Sequence, residues 1–338
     1  MQQSRLAPFF SFSFWMLAIL FVLSFSLKSH AAFKEKTISE RINEPFIGDL
    51  DKIKERRILR VLVSYNRTNF FHTTRGERGI EHDLIKEFEK YLNRGPRKER
   101  YKTHIVFLAR PFNRLLSDLK SGYGDIAASG LTITPERANY VDFTEPYITD
   151  ITEILVSNKN KPAPKTLQEL SGKQIIVVSN SSYIIHIERM NQALGRLGLP
   201  AIEIVKANPL LESEDILEMV NAGLFDYTVV DNHIGEIYEN IFPEIRLQKD
   251  FVFHYGGHIA WAINQNTPQL KTTLNNFITK YARPGRFLGN SLYKKYFKNP
   301  FWIKQPLSLN ALDETPCLQY YIEKYATFYD FDWYLIAA

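Results

Sequence analysis

The residues best suited to chemistry lie in one stretch, Asp125–Tyr147, which reads DIAASGLTITPERANYVDFTEPY. Ser129, Gly130 and Thr132 follow an apolar strand, and a turn made of such small residues would leave backbone N–H groups exposed. Arg137 follows at the start of a predicted helix. Because a guanidinium binds a carboxylate through two parallel hydrogen bonds, these groups together predict a carboxylate-binding site.

The predicted helix begins at Thr134 and Pro135, since threonine is a common N-cap and proline is tolerated at the first helical position. Arg137 then lies in the first turn, where the helix dipole favours negative charge, and a bound anion would remove that conflict. The simpler alternative is an ordinary strand, turn and helix with an arginine at the surface, because a Thr-x-x-Arg pattern alone has little specificity.

Two further polar positions follow predicted strands in the second half of the chain. Ser179–Ser182 is a hydroxyl-rich turn before a helix, and helix N-termini of this kind bind anions. Ordinary N-capping is the alternative. Asp231 ends an apolar strand, where it either faces a ligand or begins a turn with Asn232.

The elements that must position these residues form an alternating series. Ile58–Tyr65 is a nearly continuous apolar run, which is typical of a strand buried on both faces. Apolar spacing indicates helices over Ile80–Leu92 and Pro111–Leu119, with a strand at Thr103–Leu108 between them. This order predicts a parallel sheet, and ligands bind beyond the carboxyl ends of such strands, where Ser129–Arg137 lies.

A second series follows a crossing between lobes that we place near residues 149–158. A helix capped by Ser213 is predicted within it, and Phe251–Ile263 is expected to return the chain to the first lobe. The predicted strands of this series are Gln174–Ser179, Ile202–Lys206 and Phe225–Val230. We therefore predict a two-lobed α/β fold, with lobe one at residues 57–150 and 255–300 and lobe two at residues 151–254.

Together these motifs resemble the signature of the family 3 extracellular solute-binding proteins. The matching segments are T-x-x-R at Thr134–Arg137, VDFTEPY at Val141–Tyr147, GIEHDL at Gly79–Leu84 and DYTVVD at Asp226–Asp231. The resemblance covers about residues 57–300 and implies a periplasmic-binding-protein-like fold with a ligand held between two lobes.

The resemblance also implies roles for individual residues. Ser181 and Ser182 match a hydroxyl pair that contributes to carboxylate binding, although Asn180 replaces the usual glycine before them. Asp231 matches the acid that holds the ligand ammonium in members that bind α-amino acids. Tyr65 stands where an aromatic side chain often covers the ligand.

Arg137 and Asp231 would come from different lobes and carry opposite charges, so a zwitterion between them would stabilise the closed state. A free amino acid and a cell-wall peptide both carry the required carboxylate and ammonium. The sequence therefore leaves the ligand open between an amino acid and a muropeptide. No cofactor is predicted.

Composition limits the other classes. The 338 residues carry a formal net charge of +5, and without residues 1–32, which contain Arg5 and Lys28 and no acid, it falls to +3, which is too mild to favour nucleic acid as a partner. Cys317 is the single cysteine, so the fold cannot depend on an internal disulfide. His254 and His258 are four residues apart, but the glycines between them disfavour a helix, and no metal site is predicted.

The N-terminus resembles a secretory signal. Phe9–Leu27 is almost entirely apolar or serine, and small residues follow up to Ala32, so residues 1–32 are predicted to be a signal peptide. An uncleaved membrane anchor is the alternative, because the apolar run approaches the length of a membrane span. Residues 33–56 are mixed and charged, and we interpret them as a linker.

The tail, residues 301–338, has a different character. Glu323–Ala326 and Tyr329–Ala338 resemble the start of an Slt-type lytic transglycosylase domain. A solute-binding domain followed by such a domain resembles the membrane-bound lytic murein transglycosylase F family, whose catalytic glutamate would fall beyond Ala338. The tail is thus expected to be a short α-helical remnant without a catalytic residue; an unrelated helical appendage is the alternative.

The resulting hypothesis is a periplasmic solute-binding, regulatory module of a transglycosylase F-like protein. The family resemblance further implies a relation to peptidoglycan and a peripheral association with the outer membrane. Three other interpretations remain: a stand-alone amino-acid-binding protein of an ABC transporter, an active murein-cleaving enzyme with catalytic residues elsewhere in the chain, and a non-functional fragment.

Overall fold

A computed structural model describes residues 37–73, 76–95 and 98–304, and it shows two α/β lobes, each built on a five-stranded sheet. The strands are β1 (Ile58–Val63), β2 (Phe71–Thr73), β3 (Gly76–Arg78), β4 (His104–Ala109), β5 (Ile126–Ala127), β6 (Asp142–Phe143), β7 (Ile148–Asn158), β8 (Gln174–Val177), β9 (Glu203–Lys206), β10 (Tyr227–Asp231), β11 (Ile245–Ile259) and β12 (Ala262–Ile263). The α-helices are α1 (Ile38–Asn43), α2 (Leu50–Arg56), α3 (Ile80–Leu92), α4 (Leu115–Lys120), α5 (Pro135–Ala138), α6 (Ser182–Arg196), α7 (Ser213–Asn221), α8 (Asn232–Glu239), α9 (Pro268–Phe277), α10 (Phe287–Phe297) and α11 (Phe301–Lys304).

The first lobe contains the sheet β4-β1-β5-β12-β6. Strand β1 pairs in parallel with both β4 and β5, and all six of its residues are buried, as its apolar run predicts. Arg60 is also buried, but it is the one charged residue of this strand, and its Nη2 lies 3.0 Å from Asp125 Oδ1. This pairing explains how a charged residue is accommodated in a central strand, because a buried charge needs a partner.

The second lobe contains the sheet β11-β7-β10-β8-β9. Strands β8, β9 and β10 run parallel, and β7 and β11 complete the sheet in antiparallel pairing. Helices α6 and α7 follow β8 and β9, and α8 follows β10. The carboxyl ends of the parallel strands therefore present the starts of three helices at one edge of the sheet.

Strands β7 and β11 connect the lobes. Ile148 and Ile151 of β7 are buried in the first lobe's core, whereas Ile154 lies in a core of the second. On the return, Phe253 packs in the second lobe and Ile259 in the first. The pairing of β7 with β11 is interrupted by several register shifts in this region. The chain therefore crosses between the lobes in two adjacent strands.

Several elements differ in extent from the sequence-based expectation. Residues 50–56, interpreted as part of a linker, form helix α2, whose Leu50 and Ile53 are buried in the first lobe's core. The helix expected from Pro111 begins as a 3₁₀ turn and becomes α-helical only at Leu115. Glu212, not Ser213, is the N-cap of α7, because its side chain accepts the N–H of the third helical residue.

The predicted signal peptide and almost all of the predicted transglycosylase segment lie outside the described residues; of that segment only α11 is described. Helix α1 ends at Asn43, just before the two-lobed unit begins at Glu44. Within residues 37–73, 76–95 and 98–304, no helix combines the length and apolar character needed to cross a lipid bilayer.

Candidate functional site

A cavity of about 60 Å³ lies between the two lobes. One water molecule needs roughly 10–15 Å³ of such space, so the cavity in this conformation has room for about four to six waters. Six of the predicted site residues line it: Ser129, Gly130, Thr132, Arg137, Ser182 and Asp231. The structure thus brings residues from both halves of the chain to one cavity.

The turn at Ser129 and Gly130 is already hydrogen-bonded within the first lobe. The N–H of Ser64 donates to Ser129 Oγ at 3.1 Å, and the N–H of Gly130 donates to Glu81 Oε1 at 2.8 Å. Glu81 is fully buried, and burial raises the pKa of its carboxyl group. The expected exposed N–H of Gly130 therefore satisfies an internal carboxylate, and a ligand must find other donors.

Arg137 is held at the start of helix α5, where Thr134 Oγ1 accepts its backbone N–H at 3.3 Å, as expected for an N-cap. Its side chain is buried and bridges the lobes. Nη1 donates to the Thr132 carbonyl of the first lobe and Nη2 to the Asn180 carbonyl of the second, both at 2.8 Å. A ligand carboxylate would be a stronger partner for this guanidinium than two neutral carbonyl groups.

Asn180 makes a second contact between the lobes. Its φ of 64° lies in the left-handed region, which asparagine tolerates better than most residues. Its Nδ2 donates to the Asn113 carbonyl of the first lobe at 3.1 Å. The residue that replaces the family's glycine thus keeps a glycine-like backbone and adds a contact across the cleft.

Asp231 lies at the end of β10, directly before helix α8. Its side chain is 5% exposed, and its Oδ1 has no hydrogen-bond partner among the described residues. Burial, reinforced by the charge of Glu153, raises the pKa of Asp231 to about 8. An unsatisfied buried acceptor lowers the stability of the folded state, and a cationic ligand group beside the Asp231 carboxyl would offset that cost.

The serine pair divides between two environments. Ser182 lines the cavity and its Oγ donates to Glu153 Oε1 at 2.8 Å, while His186 Nδ1 lies 2.6 Å from Glu153 Oε2. Ser181 is the N-cap of α6 by position, but its hydroxyl donates to the Val178 carbonyl and it does not line the cavity.

Tyr65 also lies outside the cavity lining. It is 49% exposed, and its ring stacks on His72 with 5.9 Å between ring centroids. The structure therefore brings six of the eight predicted site residues together and leaves Tyr65 and Ser181 beside the cleft.

Two acids in the lining were not predicted as site residues. Glu212 and Glu214 flank the start of α7 and face the first lobe. Asn66 Nδ2 lies 3.4 Å from Glu212 Oε2, and the N–H of Arg67 donates to Glu214 Oε1 at 2.7 Å. Burial is the main cause that raises the pKa of Glu212 to about 8 and of Glu214 to about 7. Their position after β9, at the carboxyl end of a parallel strand, was the available signal.

His233 is a third unpredicted lining residue, two positions after Asp231. It is 3% exposed, its Nδ1 has no hydrogen-bond partner among the described residues, and its ring packs edge-on against Phe297 at 4.5 Å. Burial lowers the pKa of His233 to about 3, so the ring is neutral at physiological pH. It adds polarity to the cavity without adding charge.

Comparison with known proteins gives a consistent family assignment. The model of the bacterial extracellular solute-binding proteins, family 3, matches residues 59–299. This range includes both lobes and every residue that lines the cavity.

Similar sequences carry one recurring name. A membrane-bound lytic murein transglycosylase F of Saccharophagus degradans is 30% identical over 69% of this chain and 43% of its own length. A membrane-bound lytic murein transglycosylase F 1 of Alkalilimnicola ehrlichii is 29% identical over 88% of this chain and 58% of its own length. The chain thus spans about half the length of these relatives.

Solved structures with the same fold include an ancestral arginine-binding protein bound to arginine, with a TM-score of 0.58 and 22% identity over 71% of this chain and 98% of that one. The substrate-binding protein of an amino-acid ABC transporter has a TM-score of 0.59 and 19% identity over 72% of this chain and all of that one. At these identities the matches establish the two-lobed fold alone, and they confirm the predicted fold class.

Proposed function

Because this chain belongs to family 3 of the bacterial extracellular solute-binding proteins, we propose that it binds a single amino acid in the cavity between its lobes. The location that corresponds to this function is the periplasm. A free amino acid is the smaller of the two ligands that carry both the carboxylate and the ammonium, and it fits a cavity that lies between the lobes with less displacement of the lining than a muropeptide.

One observation carries this proposal. Arg137 from the first lobe and Asp231 from the second are both buried and line the same cavity, and an ammonium group beside Asp231 would favour the ionised form of its carboxyl group. An amino acid has a carboxylate for the first and an ammonium for the second. Since each group belongs to a different lobe, such a ligand would bind the closed form better than the open form, which is the condition for ligand-driven closure.

A calorimetric titration of the exported protein with the twenty amino acids and with purified muropeptides tests the proposal. At least one free amino acid is expected to bind with a stoichiometry of one and to raise the melting temperature, because a ligand that binds only the folded state stabilises it. Muropeptides are expected to bind more weakly. Failure of every amino acid to bind at millimolar concentration would contradict the proposal.

We favour a regulatory module of a transglycosylase F-like protein over a stand-alone uptake protein. The support is the similarity to transglycosylase F sequences, which covers up to 88% of this chain, together with the position of the last described residues. Phe297 packs in the first lobe's core and lines the cavity, whereas Ile303 is buried in a core of the second lobe. A change in lobe orientation at the cavity would therefore displace the chain that continues after Lys304.

Hydrogen exchange with and without the bound amino acid distinguishes the two roles. A regulatory module is expected to show at least tenfold slower exchange at residues 298–304 when the ligand is present, because closure fastens this segment to both lobes. Residues 128–137 at the cavity serve as the internal control for binding. Protection at the cavity with unchanged exchange at 298–304 would favour the uptake protein.

A further inference from the structure

A second carboxyl group lies beside Asp231 on the neighbouring strand. Asp231 of β10 is directly opposite Glu153 of β7 in the antiparallel pair. Residues that oppose each other in this way point to the same face of the sheet, with Cβ atoms about 4.5–5.5 Å apart. Both side chains are buried, with 5% exposure for Asp231 and 1% for Glu153. Two buried carboxyl groups at this separation repel each other when both are ionised.

The two acids differ in the hydrogen bonds that they receive. The Ser182 hydroxyl donates to Glu153 Oε1 at 2.8 Å, and His186 Nδ1 lies 2.6 Å from Glu153 Oε2. Both oxygens of Glu153 therefore have partners, whereas Asp231 Oδ1 has none among the described residues. Hydrogen bonds to a carboxylate favour its ionised form. If the pair carries one negative charge, that charge is better accommodated on Glu153 and the proton on Asp231.

The other groups that face Asp231 do not offset the effect of Glu153. The Tyr183 hydroxyl on α6 accepts the Asp231 N–H at 3.2 Å and also hydrogen-bonds its carboxyl group, and Arg137 of α5 lies across the cavity. Both favour the ionised form, but burial and the charge of Glu153 outweigh them and raise the pKa of Asp231 to about 8. His233 of α8 is neutral.

Two more acids line the cavity, but they are independent of Glu153. Glu212 and Glu214 lie at the start of α7. Burial is the main cause that raises their pKa values, and the charges that raise them further are those of neighbouring acids of α7. Removing the charge of Glu153 is therefore expected to act on Asp231 and to leave these two groups unchanged.

The opposite side of Glu153 carries no further cation that would cancel its charge. His254 of β11 also opposes Glu153, and its ring stacks on His186 with 4.2 Å between centroids. Burial is the main cause that lowers the pKa of His254, so this ring is neutral at physiological pH. Arg189 of α6 is exposed and pairs with Glu136 at the surface.

We propose that Glu153 keeps the Asp231 carboxyl group protonated in the ligand-free protein, and that the ammonium group of a bound ligand displaces this proton. The inference rests on the proposed binding of an amino acid. A positive charge beside Asp231 makes its ionised form the more stable one, and the proton passes to the solvent. Glu153 touches no ligand atom and acts through Asp231. Because binding releases a proton, the affinity is expected to fall by up to about tenfold per pH unit as the medium becomes more acidic than pH 8.

Carbon-13 NMR of the aspartate carboxyl groups tests the role of Glu153 without any ligand. One signal is expected to titrate near pH 8, as the pKa of Asp231 requires, and to be absent from Asp231→Asn. In Glu153→Gln this signal should titrate at least about one pH unit lower, because one charge at ~5 Å exceeds that effect even at an effective dielectric constant of ~20. Glu188→Gln, an exposed position on α6, removes the same charge and should leave the signal unchanged.

Calorimetry in two buffers of different ionisation enthalpy, phosphate and Tris, counts the protons released on binding. The titrant is the free amino acid that binds in the panel of twenty. At pH 7 the unmodified protein and Glu188→Gln are expected to release close to one proton per ligand, since a group with a pKa near 8 is mostly protonated there. Glu153→Gln should release at most about half as much, because Asp231 is then largely ionised before the ligand arrives.

The outcomes separate this inference from the proposed function. An unmodified protein without any aspartate signal that titrates above pH 6 would overturn the inference, even if Glu153→Gln did not fold. Equal titration midpoints in the unmodified protein and Glu153→Gln would overturn the role of Glu153. Amino-acid binding without proton release would overturn the displacement and leave the proposed function intact. Absence of binding by the whole panel would overturn the proposed function and the displacement, and the NMR titration would still decide the role of Glu153.

Discussion

Replacing Arg137 with alanine is expected to lower the affinity for the bound amino acid by at least 100-fold. The guanidinium is buried and is the only cation among the described residues that line the cavity. Removing one partner of a buried charge pair costs about 3–5 kcal/mol, and each ~1.4 kcal/mol is tenfold in affinity. Calorimetry with the ligand identified for the unmodified protein measures the effect.

Arg137→Ala also removes the hydrogen bonds to the carbonyls of Thr132 and Asn180, so some loss of stability is expected. Arg137→Lys keeps the charge without the planar fork and should bind with intermediate affinity. Arg196→Ala, at an exposed position on α6, is the control and should bind normally. A folded Arg137→Ala variant with unchanged affinity would refute the role of Arg137.

Replacing Asp231 with asparagine is expected to have opposite effects on binding and stability. Binding should fall by about 100-fold, because the ligand ammonium loses its buried carboxylate. The ligand-free protein should become more stable by about 1–3 kcal/mol at pH 8, because a buried carboxyl group without a full set of partners is removed. The site would then be an example of function maintained at the expense of stability.

The sign of the pH dependence follows from the pKa of Asp231, which rises from 3.8 to about 8 on folding. Between those values the folded state binds more protons than the unfolded state, so this group lowers the stability as the pH increases. The stability difference between Asp231→Asn and the unmodified protein should therefore be largest at pH 8 and close to zero near pH 4. Glu212 and Glu214 titrate in both proteins and cancel in the difference.

Urea unfolding of the ligand-free proteins at pH 5 and pH 8 measures this difference. Asp226→Asn is the matched control: Asp226 begins the same motif, but its side chain is 44% exposed and pairs with Lys161 at the surface, so little change is expected. An Asp231→Asn variant that is less stable than the unmodified protein at pH 8 would show that the carboxyl group stabilises the fold.

The sequence was informative where local rules act. The parallel strands and the helix start at Thr134 followed from apolar runs and capping preferences, and the carboxyl ends of strands located Arg137 and Asp231 in the same cavity. These features depend on residues close together in the chain, or on the general geometry of parallel sheets.

Other features depend on contacts that no local pattern records. Glu81 accepts a hydrogen bond from the N–H of Gly130, which is 49 residues away in the sequence. Asn66 donates to Glu212, which is 146 residues away and belongs to the other lobe. The ionisable groups that line the cavity, Arg137 in the first lobe and Asp231, Glu212 and Glu214 in the second, come together only when the two lobes meet. Tyr65 is a further example. The family resemblance placed it over the ligand, but in the structure it lies at the surface and stacks on His72.

The short segment from Phe297 to Ile303 has a mechanical consequence. Its first residue is fixed in the core of one lobe and its last in a core of the other. An extended chain spans at most about 3.3–3.6 Å per residue, so six steps reach roughly 20 Å. The length of this segment therefore limits how far the two lobes can separate. If the two attachment points move apart by more than this distance, Ile303 must first leave the hydrophobic core of the second lobe.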